Sequence, residues 1–260
     1  MTLLVIGGSG FLGREVARQA GRSVTTHFRA GGPGRRLDVR DRAAVLRLVE
    51  ELRPDVVVNT AYVQADWVTT AEGAMHVAAA AAATGARLVH VSTDLVFSGR
   101  DVTYDETSVP DPVTPYGAAK AAAETAIKGL VADAVVARTS LILGDGDSGH
   151  EKFVHALAAG TASGGLYTDT VRCPVHVTDL AAALLELAGS TYAGIAHVAG
   201  ADALSRHELG MLIARRDGLD EAALPTARQG SGPLDVRLDG TRTQARLRTR
   251  LRGAREFLAR

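Results

Sequence analysis

The chain has one cysteine, one tryptophan and only 4% aromatic residues in 260 positions, and it has no excess of either charge. Each shortage excludes something. A single Cys173 cannot form an internal disulfide, which argues against a stapled extracellular scaffold and for a reducing compartment. The 29 basic residues balance the 29 acidic ones, so no global field draws the protein to nucleic acid or an anionic membrane, and any anion must be bound locally. No apolar run approaches the roughly 18 residues of a membrane span, and the longest bland stretch, Val77 to Ala83, is short and alanine-rich. The opening residues lack the basic start and apolar stretch of a secretory signal. These absences predict a soluble, cytoplasmic protein with no nucleic-acid or membrane partner, as a monomer or homodimer.

What is present is material for a large core, with 46% hydrophobic residues. Short β-prone runs alternate with longer alanine- and leucine-rich stretches, the pattern of βα units around a parallel sheet covered on both faces. Strands are predicted at Leu3 to Gly7, Val24 to Phe28, Arg36 to Val39, Val56 to Asn59, Leu88 to Ser92, Ala134 to Thr139 and Ile195 to Val198. Helices are predicted at Phe11 to Ala20, after an Asp41 cap up to Pro54, at Glu72 to Thr84, Pro115 to Leu130, Phe153 to Ala159, Asp179 to Ala188 and Ser205 to Arg215. The fold class expected is α/β, a Rossmann-type doubly wound parallel sheet. Residues 1–143 form its nucleotide-binding core. Residues 144–260 mainly form a small C-terminal substrate lobe, with about 175–200 returning to the core.

Between the first strand and first helix, Gly7, Gly10 and Gly13 sit three apart, and Gly8, Gly10 and Gly13 also satisfy G-x-G-x-x-G. In that position the glycines permit a tight turn, close approach of a pyrophosphate and helix packing on the strand. Ser9, Phe11 and Leu12 belong to the same turn. A fold choosing NAD places Asp or Glu at the end of the second strand. This strand ends Thr26-His27-Phe28-Arg29 instead, and a guanidinium there suits a 2′-phosphate. The cofactor expected is therefore NADP(H), with an ordinary surface arginine as the competing reading of Arg29. Asp38, beside Val39, is either an acceptor for the adenine amino group or a turn residue. Asn59-Thr60-Ala61 ends the fourth strand at the edge where ligands bind, with side chains small enough to admit a ribose.

Tyr116 and Lys120 lie one helical turn apart on one face of a helix. That spacing alone is weak. It gains weight because the preceding strand ends Ser92-Thr93-Asp94, delivering a hydroxyl to the same edge of the sheet. Hydride addition to a carbonyl creates an alkoxide that needs a proton. Tyr116 is the expected donor, Lys120 the cation that lowers its pKa and holds ribose hydroxyls, and Thr93 the hydroxyl that orients the carbonyl.

These residues carry a resemblance. With Gly7-x-x-Gly10-x-x-Gly13, Val57 to Ala61, Val89 to Gly99, Tyr116 to Lys120 with Glu124, Val175-x-x-Thr178-Asp179-Leu180-Ala181 and Pro233 to Asp239, nearly the whole chain resembles the dTDP-4-dehydrorhamnose reductase-like branch of the extended short-chain dehydrogenases/reductases. The resemblance implies a reductase using NADPH. It assigns the catalytic hydroxyl to Thr93 and implies a 4-keto-6-deoxy sugar on a nucleoside diphosphate as substrate, bound near Ser92, Asp94, Val96, Arg138 and Gly144. Two departures stand out: Thr70 where such folds often carry asparagine, and Gly232 where the family commonly has arginine. Related activities are an epimerase or dehydratase, although Leu95 follows Asp94 where dehydratases carry an acid. A non-catalytic subunit of methionine adenosyltransferase belongs to the same resemblance.

Arg172 is a candidate for an anionic substrate, a salt bridge being the alternative. Cys173-x-x-His176-x-x-Asp179 imitates metal-ligand spacing, but a strand leading into an Asp179-capped helix explains it without a metal. The arginine-rich tail from Arg242 to Arg260 carries Leu247, Leu251, Ala254 and Leu258 at helical spacing, which predicts an amphipathic terminal helix packed on the domain.

Overall fold

The computed structural model describes residues 2–28 and 34–259. Seven strands form the main sheet: β1 (Leu3–Ile6), β2 (Ser23–His27), β3 (Arg35–Arg36), β4 (Val56–Asn59), β5 (Arg87–Thr93), β6 (Val135–Thr139) and β7 (Gly194–His197). Their order is β7-β6-β5-β4-β1-β2-β3, all neighbours parallel. The chain thus starts in the middle, builds outward to one edge and returns to build the other. That reversal leaves a crevice at the carboxyl ends of β1 and β4.

Side chains alternate across this sheet as strand geometry requires. Leu3, Val5, Val56, Val58, Val89 and Val91 face one side, packed under α1 (Phe11–Ala20) and α6 (Val177–Ala188). Leu4, Ile6, Val57 and Leu88 face the other, under α2 (Arg42–Leu52), α3 (Gly73–Thr84) and α4 (Pro115–Leu130). Both faces are dry, which is why the strand sequences are continuously apolar rather than alternating. Truncating one such residue, Leu180 for instance, costs about 2–5 kcal/mol.

A third apolar cluster joins Leu143, Val154, Leu166, Leu204, Leu209 and Ile213. It holds α5 (Gly149–Ala158) against α7 (Arg206–Asp217). Both helices begin with a capping box, Ser148 with Glu151 and Ser205 with Glu208. The strands here are only two residues long, such as Val171–Arg172 paired antiparallel with Leu204–Ser205.

Several expected elements move. The third strand falls at Arg35–Arg36, ahead of its expected place, and α5 starts at Gly149, four residues early. A π turn over Val68–Glu72 precedes α3. There Thr70 donates its hydroxyl to the Val63 carbonyl and accepts the Val63 amide, closing the loop after β4. The cap of α6 is His176, whose ring accepts the Thr178 amide; Asp179 lies inside the first turn and pairs with Arg252 at 2.9 Å. The tail is not one helix. It makes α8 (Thr241–Gln244) and α9 (Ala254–Phe257), because Glu186 accepts the amides of Arg248 and Thr249 and Gln244 accepts that of Leu251. Leu251, Ala254 and Leu258 are nonetheless buried. Among the described residues, no helix is long and apolar enough to cross a membrane.

Candidate active site

The turn after β1 is tight because its glycines leave no room for anything else. Gly10 donates its amide to Gly7 at 2.9 Å, and a Cβ on Gly13 would stand 2.2 Å from that same Gly7 carbonyl oxygen. Gly7 donates to the Thr26 hydroxyl, and Thr60 donates to Ile6 at 2.9 Å, so β2 and β4 fix the turn from both sides. Beside it opens a cavity of about 380 Å³. Of the residues expected at the cofactor, Gly7, Ser9, Gly10, Asp38, Val39, Thr60 and Ala61 line it.

Asp38 is committed to a neighbour. Its carboxylate takes the Arg40 guanidinium at 2.7 Å, and that bond holds its pKa below the usual carboxylate range. Arg40 in turn lies 5.2 Å over the Phe28 ring. Asn59 is buried beneath the cavity, accepting the Ala61 amide and contacting His90 Nδ1 at 3.2 Å. Arg29, the expected phosphate ligand, lies outside the described residues.

A second cavity of about 310 Å³ shares Gly10, Thr60 and Tyr62 with the first, so the two meet along the glycine turn. Phe11, Leu12, Gly13, Ser92, Thr93, Tyr116 and Lys120 all line it. Strand β5 delivers Thr93; α4 delivers the other two. Helix α4 starts where it does because the Thr114 hydroxyl accepts the Gly117 amide at 3.1 Å and Pro115 occupies the first turn. A Cβ on Gly117 would stand 2.0 Å from the Leu95 carbonyl oxygen. The helix therefore presses its backbone against the turn that follows Thr93, which brings phenol and hydroxyl to one wall.

Lys120 is 2% exposed, donates from Nζ to the Val91 carbonyl at 2.8 Å and lies 5.4 Å over the Tyr62 ring. Burial lowers its pKa to about 8, opposed by Glu124. Tyr116 behaves differently from expectation. Burial pushes its phenol well above the ordinary value, Tyr62 and Asp94 add to the shift, and the Thr93 hydroxyl opposes it. Desolvation outweighs the pull of the ammonium, which is itself tied to the strand carbonyl. The result is a phenol that keeps its proton at neutral pH. That is the state a proton donor needs.

Asp94 organises the hydroxyl. Its carboxylate accepts from Thr93 at 3.2 Å and from Ser140 at 2.6 Å, while Arg172 stands 3.6 Å away. The other residues expected at the substrate separate into fates of their own. Ser92 lines the cavity but donates its hydroxyl to Glu124. Arg138 is 1% exposed and its guanidinium is taken by Glu124 at 2.8 Å, so it braces α4 against β6 and lines neither cavity. Val96 is buried in an apolar cluster with Phe97 and Tyr104. Gly144 donates to Glu151 at 3.0 Å in the α5 entry loop. Arg172 spends its guanidinium on the carbonyls of Val171, Pro233 and Leu234. Cys173, with its thiol pushed up to about 11 by burial, packs in the cluster around Phe97.

Tyr62, Ser140 and Gly149 line the second cavity and were not anticipated. The first two follow the carboxyl ends of β4 and β6, a position that marks ligand contact in open α/β sheets. Tyr62 packs on Tyr116 with ring centroids 5.8 Å apart.

Comparison with known proteins bears on this arrangement. A dTDP-4-dehydrorhamnose reductase of Mycolicibacterium smegmatis is 34% identical over 220 residues, covering 79% of this chain and 66% of that protein. The spore coat polysaccharide biosynthesis protein SpsK of Bacillus subtilis is 30% identical over 244 residues, covering 88% of this chain and 84% of that protein. Among solved structures, the dTDP-4-dehydrorhamnose reductase of Bacillus anthracis in complex with NADP superposes with a TM-score of 0.88 at 23% identity, covering 99% of this chain and 96% of that one. The glycine turn, the strand-end hydroxyl and the tyrosine–lysine helix lie within residues 1–259, matched throughout by the model of the RmlD substrate binding domain, and the chain belongs to that family.

Proposed function

We propose that the chain is an NADPH-dependent reductase of the extended short-chain dehydrogenase/reductase type, acting on a 4-keto-6-deoxy sugar carried by a nucleoside diphosphate. The observation that carries this is the meeting of Thr93, Tyr116 and Lys120 on a cavity that shares its wall with the glycine turn. The turn suits a dinucleotide: at Gly10 an added Cβ would meet only the Gly7 carbonyl, so the face toward the cavities is open for a pyrophosphate to reach backbone amides. When bound, NADPH supplies the hydride. Tyr116 donates its proton to the carbonyl oxygen as charge develops there. Thr93, its oxygen held by the Leu95 amide, turns its one hydroxyl proton from Asp94 to that oxygen and fixes its position. Lys120 offers its remaining N–H groups to ribose hydroxyls and its charge to the phenolate that forms. Leu95 offers no acid for dehydration. Residues 1–143 serve the cofactor and 144–260 mainly shape the lobe for the sugar nucleotide, with about 175–200 packed back on the core.

Loss of reduced-nicotinamide absorbance, followed with a panel of nucleotide-linked 4-keto sugars, tests the assignment. Tyr116→Phe is expected to lower kcat by about 10²- to 10⁴-fold with NADPH binding little changed. Tight NADPH binding with no turnover of any ketone by the unaltered protein overturns it in favour of a binding role.

A further inference from the structure

Each turnover leaves Tyr116 without its proton, and few routes lead a new one back. Tyr116 lies in the wall of the catalytic cavity, the seat of ketone and nicotinamide in the reductase reading, so return through the cavity waits on their departure. Inward, the way is shut. Lys120 is 2% exposed and donates to the Val91 carbonyl at 2.8 Å. Its charge acts on His90, which is itself buried against the buried Asn59. Thr70, also buried, closes on the Val63 carbonyl.

Outward, the situation differs. Of the side chains that act on the Tyr116 phenol, Thr93 and Asp94 are buried, whereas Tyr62 is 54% exposed. The Tyr62 ring packs on Tyr116 with centroids 5.8 Å apart and planes inclined at 47°, and Lys120 Nζ stands 5.4 Å from its centroid. It lines the cofactor cavity and the catalytic cavity alike. The backbone on either side is pinned, since Asn59 accepts the Ala61 amide and Thr70 bonds both the amide and the carbonyl of Val63. A phenol open to water is thereby held against the acid. Burial makes Tyr116 hold its proton tightly, so the phenolate left after delivery is a strong base toward any donor in direct reach or one water away.

We propose that Tyr62 carries solvent protons to Tyr116, so that the acid is restored while the products are still bound. Hydride arrives on the carbonyl carbon and the C=O electron pair takes the Tyr116 proton. The Tyr116 phenolate then takes the Tyr62 proton, and Tyr62 takes one from the solvent. One proton leaves solution for each ketone reduced. The inference rests on the reductase reading and adds to it the route of the proton.

The test follows one turnover by stopped flow in weak buffer, with the full chain and NADPH in excess over a nucleotide-linked 4-keto sugar. Reduced-nicotinamide absorbance reports hydride transfer, and a pH indicator dye reports proton uptake. In the unaltered chain the two signals are expected to move together. Tyr62→Phe keeps the ring against Tyr116 and Lys120 and loses the hydroxyl. Its first turnover should oxidise NADPH at nearly the original rate, because Tyr116 starts protonated, while proton uptake lags by about ten-fold or more. Tyr62→His, which returns a proton donor to the same place, is expected to shorten the lag. Unchanged melting temperatures and NADPH affinities establish that the variants fold. Proton uptake in step with hydride transfer in Tyr62→Phe overturns the proposal, as does uptake that already trails in the unaltered chain. Either result comes with full turnover and leaves the reductase reading standing. Absence of turnover with any ketone in the unaltered chain removes the reading and the relay together.

Discussion

The sheet edge that gathers the catalytic residues and the lobe that closes over it are held in place by different forces. At the edge, position is set by backbone: seven parallel strands in register, a turn whose glycines touch carbonyl oxygens, and a helix backed against the turn after Thr93. In the lobe the strands are two residues long and offer few ladder bonds. Buried charge takes over there. Glu151, fully buried, accepts the amides of Gly144, Gly146 and Ser148 and the Arg216 guanidinium at 2.8 Å. Arg216 also reaches the Gly144 carbonyl, and Arg172 binds three carbonyls of two chain segments. The edge should thus fail by added bulk, and the lobe by lost charge.

Glu151→Leu is the largest expected break. It leaves three amides without their acceptor and Arg216 with Asp217 as its remaining countercharge, and it should cost about 3–5 kcal/mol, read as a lower denaturation midpoint. Substrate KM should rise while NADPH affinity stays near its original value. Loss of NADPH binding in this variant would erase the distinction between the two regions.

Gly13→Val probes the other side. The added side chain meets backbone that cannot yield without opening the turn, and NADPH affinity should fall by about 100-fold, near 3 kcal/mol, in a fluorescence titration. A well-folded variant that binds NADPH normally shows that the turn is more pliant than its contacts imply.

The contrast also sets how much could be read in advance. Helices α1 and α4 and strand β4 fall where periodicity, Thr114-Pro115 and the apolar run place them, because their signals are local. The convergence of Thr93 with Tyr116 and Lys120 followed from strand-end and helix-face geometry. The lobe was harder, since its determinants lie far apart along the chain. Asp179 has the chemistry of a cap, yet Arg252, 73 residues on, claims it, and His176 caps instead. Arg138 has the look of a substrate ligand until Glu124 takes it from α4. The tail breaks at Arg248 because Glu186 captures its backbone.

The smallest expected effect concerns protons. Lys120, with a pKa near 8 set by burial, carries its charge below that value and loses it above. Tyr116, shifted upward, keeps its proton across the same range. Reductive kcat/KM should therefore be level below about pH 8 and fall toward ten-fold per unit above it. A profile level to pH 10 would show that the Lys120 charge is not required.

The contact between Gly117 and the Leu95 carbonyl has a consequence for how such a protein changes over time. No side chain intervenes between the helix bearing the acid and the turn bearing its hydroxyl partner, so ordinary substitution has nothing there to enlarge or trim. Drift in substrate choice must enter through the charged lobe, residue by residue, while the point at which the proton is delivered stays where it is.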